Sequence, residues 1–263
     1  MRKARLDVLL VERGLVESRA QAQRLIMAGQ VRVNGQIAYK SEIPQNVEAH
    51  LEIDQGPLYV SRGGEKLEAA LQAFDLNIQG RVCADVGAST GGFTDCLLQH
   101  GAARVFAIDV GKGILHWKLR QDTRVIVMED TNARYIERLP EPVSLVVIDA
   151  SFISLKMLLP VVKGWFQPEN GEVIALIKPQ FEVGRHIAAR GQGVIRDAGV
   201  HRIVLFEILD YAQAGGYQAK GLIRSPLLGP KGNVEFLVQL LFPGSSLTIL
   251  EPLVDAALHS GTN

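Results

Sequence analysis

Residues 85–92 read Asp85-Val86-Gly87-Ala88-Ser89-Thr90-Gly91-Gly92, between the apolar run Val82-Cys83-Ala84 and a helix-like stretch from Phe93 to His100. A strand that ends in a glycine-rich turn and runs into a helix is the opening unit of a doubly wound sheet. Its turn is where a nucleotide-like ligand comes close to the backbone. Glycine suits such a turn because the chain has to reverse without a Cβ clash. The spacing narrows the ligand. A dinucleotide turn reads G-x-G-x-x-G and seats a pyrophosphate on the helix N-terminus, whereas here Gly87 and Gly91 stand four apart behind an acid, Asp85. That pattern suits a cofactor with no pyrophosphate and a charged amino-acid end, and S-adenosylmethionine is the candidate. The expected cofactor contacts are Asp85 and the turn Gly87, Ala88, Ser89, Thr90, Gly91, Gly92 and Phe93, with two acids at later strand ends, Asp109 and Asp130.

Outward from this turn the pattern is regular. Apolar strands at about 82–85, 104–109, 125–128, 144–149 and 172–177 alternate with helical stretches near 93–100, 114–120, 132–138 and 154–166. Such alternation predicts a parallel sheet with helices on both faces. A helix over 198–213 then precedes two strands, 217–224 and 234–242, joined by a loop containing Gly229-Pro230-Lys231-Gly232. The expectation is therefore an α/β domain over 65–245: a class I (Rossmann-like) methyltransferase sheet of seven strands, mixed because the last two add antiparallel. A linker over 58–64 precedes it and a C-terminal tail over 246–263 follows.

Residues 1–57 form a separate small α+β module. Leu6, Leu9 and Leu10 make one apolar helical stripe, and Ala22, Leu25 and Ile26 another. Gly14 ends the first helix, Ser18 is a natural N-cap for the second, and Gly29 closes it. Val31 to Val33 runs into Asn34-Gly35, a hairpin turn signal, with strand-like pieces at Ile37–Tyr39 and Leu51–Ile53. The whole chain carries 28 basic and 28 acidic residues, but between Met1 and Lys40 eight basic residues face three acids. Local basicity of this kind is a footprint for nucleic acid; the plain alternative is a solvated basic face. Arg2, Lys3, Arg5, Arg19, Arg24 and Arg32 are the candidate RNA contacts.

The composition excludes other classes. Cys83 and Cys96 fall in a strand and the following helix, as reduced core thiols rather than a disulfide or metal site. No apolar run approaches the roughly 18 residues of a membrane-spanning helix, so no membrane partner is expected, and the chain reads as cytoplasmic. The loop Phe181 to Asp197, with Gly184, Gly191 and Gly193 among Arg185, Arg190 and Arg196, is long for this fold and could close over a ligand.

Charged residues at strand ends carry the chemistry. Asp109 can accept from ribose hydroxyls, and Asp130 can reach an adenine amino group. Asp149 follows Val146-Val147-Ile148, and Lys178 follows Ala175-Leu176-Ile177. Neighbouring strands lie about 4.8 Å apart, so if these two adjoin, carboxylate and ammonium enter one crevice. Buried ion pairs are poor stabilisers, which favours a functional role over a structural one. Periodicity by itself does not single out Lys66 or Glu235.

The motifs as a set resemble one family. Arg5-Leu-Asp-Val-Leu-Leu10 with Ser18-Arg-Ala-Gln-Ala22, Val60-Ser-Arg-Gly-Gly-Glu-Lys66, Asp85 to Thr94, Ile148-Asp-Ala-Ser-Phe-Ile-Ser154, Ile177-Lys-Pro-Gln-Phe-Glu182 and Gly229-Pro-Lys-Gly-Asn-Val-Glu235 together resemble the TlyA family, once called haemolysins. The resemblance spans nearly the whole chain. It implies an RNA-binding module like that of ribosomal small-subunit protein four, joined to an FtsJ-like ribose methyltransferase with a Lys-Asp-Lys-Glu tetrad. The matching positions are Lys66, Asp149, Lys178 and Glu235, none of them missing. It further implies methylation of cytidine 2′-hydroxyls in ribosomal RNA, with ribosomal RNA or ribosomal subunits as partners. Within that reading Lys178 is either a base or a cation that stabilises the developing alkoxide. The rival readings are a nicotinamide-dependent oxidoreductase, an RNA-binding protein with a non-catalytic methyltransferase domain, and a haemolysin-like activity. The glycine spacing opposes the first and the complete tetrad the second, and the third finds no spanning or long cationic amphipathic helix.

Overall fold

The computed structural model describes residues 2–54, 56–167, 170–183, 193–229 and 231–260. Its contacts divide the chain into two compact units, Met1–Leu58 and Tyr59–Asn263.

The first unit contains β1 (Lys3–Arg5), α1 (Leu6–Glu12), α2 (Arg19–Met27), β2 (Val31–Val33), β3 (Gln36–Ala38), β4 (Pro44–Asn46) and β5 (Leu51–Ile53). Ser18 caps α2 by accepting from the Gln21 amide at 3.2 Å. Asn34 and Gly35 both take positive φ, 49° and 81°, which is the primed turn that matches strand twist. β2 accordingly pairs antiparallel with β3 and, on its other edge, with β5. Strands β1 and β4, which pair with each other, lie outside the sequence expectation because Pro44 and flanking polar residues mask any alternation. Leu6, Leu9 and Leu10 of α1 meet Ala22 and Ile26 of α2 over Val31 and Leu51 in one core.

The second unit contains α3 (Gly63–Ala73), β6 (Val82–Val86), α4 (Gly92–Gln99), β7 (Arg104–Ile108), α5 (Trp117–Arg120), β8 (Val125–Met128), β9 (Leu145–Ile148), α6 (Leu155–Val162), β10 (Gly171–Ile177), α7 (Pro179–Glu182), α8 (Ala198–Ala214), β11 (Gln218–Arg224), β12 (Phe236–Phe242) and α9 (Leu250–His259). Seven strands form one sheet in the order β11-β12-β10-β9-β6-β7-β8. The five from β10 to β8 are parallel, and β12 runs antiparallel to both β10 and β11. This is the mixed class I sheet that the alternation predicts. In β10, Val173, Ala175 and Ile177 pack with α6, α8 and α9, while Ile174 and Leu176 pack with α3 and α4. A strand covered on both faces is apolar along nearly its whole length: β9 and β10 are buried at every residue, and their one charged side chain, Glu172, is paired with Arg81.

Three expectations change. The helix expected over 114–120 keeps one turn, and that over 132–138 is a single 3-10 turn, Ala133–Tyr135, because Gly111 and Gly113 precede the one and Pro140 and Pro142 follow the other. Tyr59, placed in a linker, is buried, and helix α3 already begins at Gly63. Within 246–263, expected as a tail, α9 lays Leu250, Val254 and Ala257 against the core. No described helix is long and apolar enough to cross a membrane.

Val254 has no exposed surface. Val254→Asp is expected to lower the unfolding free energy by about 3 kcal/mol or more, because it buries an unpaired charge. Urea titration checks this; a loss within experimental error of zero would show that α9 does not belong to the folded core.

Candidate active site

The turn after β6 is shaped by close approach. Gly87 (φ +84°) leaves room for the backbone that follows β9: a Cβ there would lie 2.8 Å from the Asp149 carbonyl oxygen and 3.0 Å from Ala150. Gly91 (φ +99°) is pressed by Leu119, whose Cδ1 a Cβ would meet at 2.1 Å. The turn is anchored by Gly87 and Ala88 amides donating to the Ile108 carbonyl, at 2.9 and 3.1 Å. Asp109, one residue beyond β7, accepts from the Ser89 amide at 2.8 Å and from the Gly111 amide at 2.7 Å. Its carboxylate is thereby fixed in the gap between the turn and the next loop.

Two adjoining cavities open on this turn and share Gly87, Ser89 and Asp149. The larger, about 430 Å³, has apolar walls from Ile108, Ile114 and Leu158 with Asp109 and Asn132 between them. The smaller, about 320 Å³, is bounded by Ser61, Gly63, Lys66, Thr90, Phe93 and Leu228. Asp130 is exposed with φ +53° and belongs to neither wall; its neighbours Thr131 and Asn132 do. Asp85 is fully buried. One of its oxygens accepts from the Thr94 hydroxyl at 2.6 Å, and the other has no partner among the described residues. Burial pushes the Asp85 carboxyl up to about 7, and the nearby Asp149 adds to the rise.

The four charged candidates form two ion pairs, Lys66 with Glu235 buried on both sides and Lys178 with a half-buried Asp149. Lys66 Nζ donates to Glu235 Oε2 at 2.6 Å, joining α3 to the residue just before β12. Lys178 Nζ lies 2.6 Å from Asp149 Oδ1, at an angle that makes this a charge contact rather than a directed hydrogen bond. Its directed bonds go to Ser151 Oγ at 2.9 Å and the Asp149 carbonyl at 3.3 Å. Lys66 and Asp149 front the smaller cavity, and Glu235 and Lys178 stand behind them. Strand pairing explains the second contact: β9 and β10 are adjacent and parallel, so the residues after each emerge side by side.

Several supporting residues lie outside the sequence expectation. Ser151 holds Lys178, and Gln180 Nε2 approaches Glu235 Oε1 at 3.5 Å; both stand two residues from a member of the tetrad. Glu182 accepts from the Leu155 amide at 2.8 Å and from the Ser154 hydroxyl, tying the segment after β9 to α7. Glu129 accepts from the Arg120 guanidinium and from the amides of Gly113, Ile114 and Leu115, which bring its carboxyl down to about 2 and fold the loop beside the larger cavity. Asn233 bonds the Ile195 amide and the Gly193 carbonyl, both at 2.9 Å, fixing the approach to Glu235. Of the loop Phe181 to Asp197, residues 184–192 lie outside the described residues. Cys83 and Cys96 are buried thiols, each pushed up to about 12 by burial.

In the first unit Arg2, Lys3, Arg5, Arg19 and Arg24 are exposed and Arg32 is half-buried. Arg13, basic but not among the candidate contacts, donates to the carbonyls of Val47 and Ala49.

Residues 59–242 match the family described as FtsJ-like methyltransferase, and residues 4–43 match the S4 domain. Over 243 residues the chain is 45% identical to the 16S/23S rRNA (cytidine-2′-O)-methyltransferase TlyA of Mycobacterium tuberculosis, covering 91% of this chain and 90% of that one. It is 40% identical over 242 residues to Hemolysin A of Brachyspira hyodysenteriae, covering 90% and 99%. A solved structure from Streptococcus thermophilus that carries a hemolysin name superposes with a TM-score of 0.71 at 42% identity, covering 98% and 96%.

The Asp85 carboxyl rises from an ordinary 3.8 to about 7 on folding. The folded chain therefore holds this proton more tightly than the unfolded chain, so its contribution to stability declines as pH climbs from about 4 towards about 7. Thermal melts of wild type and Asp85→Asn across that range are expected to diverge, with the variant losing less stability on the alkaline side. Parallel curves would contradict the assignment.

Proposed function

The chain belongs to the FtsJ-like methyltransferase family, and from that premise we propose that it transfers the methyl group of S-adenosylmethionine to the 2′-hydroxyl of a cytidine ribose in ribosomal RNA. The observation that carries this reading is the arrangement of two ion pairs around one cavity, with Lys66 and Asp149 in front and Glu235 and Lys178 behind.

The cavity residues fit the cofactor. The turn from Gly87 to Thr90 lines the cavities, so a ligand seated there would lie close to its backbone. Asp109, on the wall of the larger cavity, offers a fixed carboxylate to ribose hydroxyls; Asp85 is fully buried, lines neither cavity and keeps one oxygen without a partner among the described residues. The walls of the larger cavity suit a purine. S-adenosylmethionine, when bound, supplies a sulfonium methyl that needs no further activation.

The remaining task is to align the ribose hydroxyl and remove its proton. An ammonium group has three N–H donors, and Lys178 is surrounded by three acceptors: two oxygens of Asp149 and the hydroxyl of Ser151. That geometry favours Lys178 as a held cation over Lys178 as a base. The Asp149 carboxylate on the cavity wall is placed to accept the hydroxyl proton as the oxygen attacks the methyl carbon and the carbon–sulfur bond breaks. Lys178 then stabilises the charge that develops on oxygen, and Lys66, backed by Glu235, positions the ribose. Phe152, 90% exposed and held at φ +63° beside the larger cavity, offers a face on which an unstacked base can lie.

Residues 1–57 supply the RNA-binding arm through Arg2, Lys3, Arg5, Arg19, Arg24 and Arg32, which would meet phosphates and give affinity more than sequence readout. Residues 65–245 carry the methyl transfer. A ribosomal substrate places the protein in the cytoplasm.

Lys178→Ala is expected to slow methyl transfer to ribosomal RNA by roughly a hundredfold or more while cofactor affinity, read by calorimetry, stays near wild type. Unchanged turnover would sink the mechanism. Nucleoside mass spectrometry of ribosomal RNA from cells with and without the protein tests the activity itself. The expected result is loss of 2′-O-methylcytidine in its absence, and an unchanged content of that nucleoside would overturn the proposal.

A further inference from the structure

The first unit contains a carboxylate with no part in the chemistry above. Asp7, in the first turn of α1, is fully buried, yet it gathers four hydrogen bonds. Arg5 Nε donates to Oδ1 at 3.0 Å. Oδ2 accepts from Arg5 Nη2 at 3.0 Å, Arg19 Nη2 at 3.0 Å and Gln23 Nε2 at 2.8 Å. The Arg5 guanidinium above all, then Gln23 and Arg19, hold this carboxyl well below the usual carboxylate range despite its burial. It therefore stays ionised at any physiological pH.

The contact is more than a local ion pair. It joins the end of β1, the start of α1 and the start of α2, and it fixes the directions of two long side chains. Those side chains remain 44% and 56% exposed. Arg5 Nη1 and Arg19 Nη1 have no partner among the described residues, so each guanidinium keeps donors free on the side away from Asp7. Arg13 shows the alternative use of a guanidinium in the same unit, spent on two backbone carbonyls.

We propose that Asp7 is a positioning residue for RNA: it clamps Arg5 and Arg19 side by side, so that their outward N–H groups meet phosphate oxygens of one stretch of RNA backbone. The inference rests on the RNA-binding reading of this unit. An arginine free in solvent gives up considerable rotamer freedom when it grips a phosphate, and one already held by a carboxylate gives up less. A carboxylate among phosphate-binding arginines also repels RNA. The two effects have opposite signs, which makes the idea testable. On charge alone, Asp7→Asn removes a repulsion and strengthens RNA binding. On preorganisation it weakens binding.

The experiment is a fluorescence-anisotropy titration of the full chain with a labelled ribosomal RNA hairpin at fixed salt. Asp7→Asn is expected to bind about fivefold more weakly or worse, although the protein has lost a negative charge. Arg5→Lys alters an exposed side chain, so it keeps the test decisive where Asp7→Asn unfolds the unit. It retains the charge but not the two-pronged contact with both carboxylate oxygens, and is expected to weaken binding in the same direction. Its salt dependence should keep the wild-type slope, because no charge is lost. Folded Asp7→Asn that binds as tightly as wild type or tighter overturns the proposal, as does Arg5→Lys with wild-type affinity. A different failure would be an Arg5→Ala/Arg19→Ala protein with undiminished affinity. That result overturns the RNA-face assignment itself.

Discussion

Burial of the sheet on both faces lets a charged side chain stand only where a partner is supplied or where a strand ends. β9 and β10 are buried at every residue, and the one charged side chain within them, Glu172 near the start of β10, is met by Arg81 at 2.8 Å and by Gln239 at 2.6 Å. One residue beyond their carboxyl ends, Asp149 reaches the cavity wall with Lys178 paired behind it. The site depends on this confinement. Adjacent parallel strands deliver a carboxylate and an ammonium to the same crevice, and α3 and the approach to β12 bring a second pair to it. Paired in this way, four ionisable groups stand in a crevice where any one of them alone would be destabilising.

The same confinement decides what could be read from the chain. Asp149 and Lys178 were legible because each interrupts an apolar run where a buried strand has to end. Lys66 and Glu235 were not, except through resemblance, because their contact spans 169 positions of sequence and neither stands out locally. Glu129 was equally hidden: its partners are mostly backbone amides, which carry no residue signature. The parallel sheet and its closing antiparallel pair followed from alternation, since period and length are local properties, whereas the order of the strands did not. Helix α9 was legible in principle, with Leu250, Leu253, Val254 and Ala257 at helical spacing, but it lies beyond the last strand, where no alternation calls for a further element.

Charge counting met a related limit in the first unit. Basic residues between Met1 and Lys40 look equivalent in the sequence, yet the folded unit bonds Arg13 to two carbonyls and holds Arg5 and Arg19 on Asp7. Side-chain fate depends on which backbone or carboxylate lies within reach. That is decided by the packing of α1 on α2 and is invisible to composition.

The contact at Gly87 has a mechanical consequence. The turn that would hold the methyl donor lies against the Asp149 carbonyl with no space for even one extra carbon, and that same carbonyl accepts from Lys178. A ligand that pushed the turn towards β9 would press on the very carbonyl to which Lys178 donates, with no intervening side chain to absorb the shift.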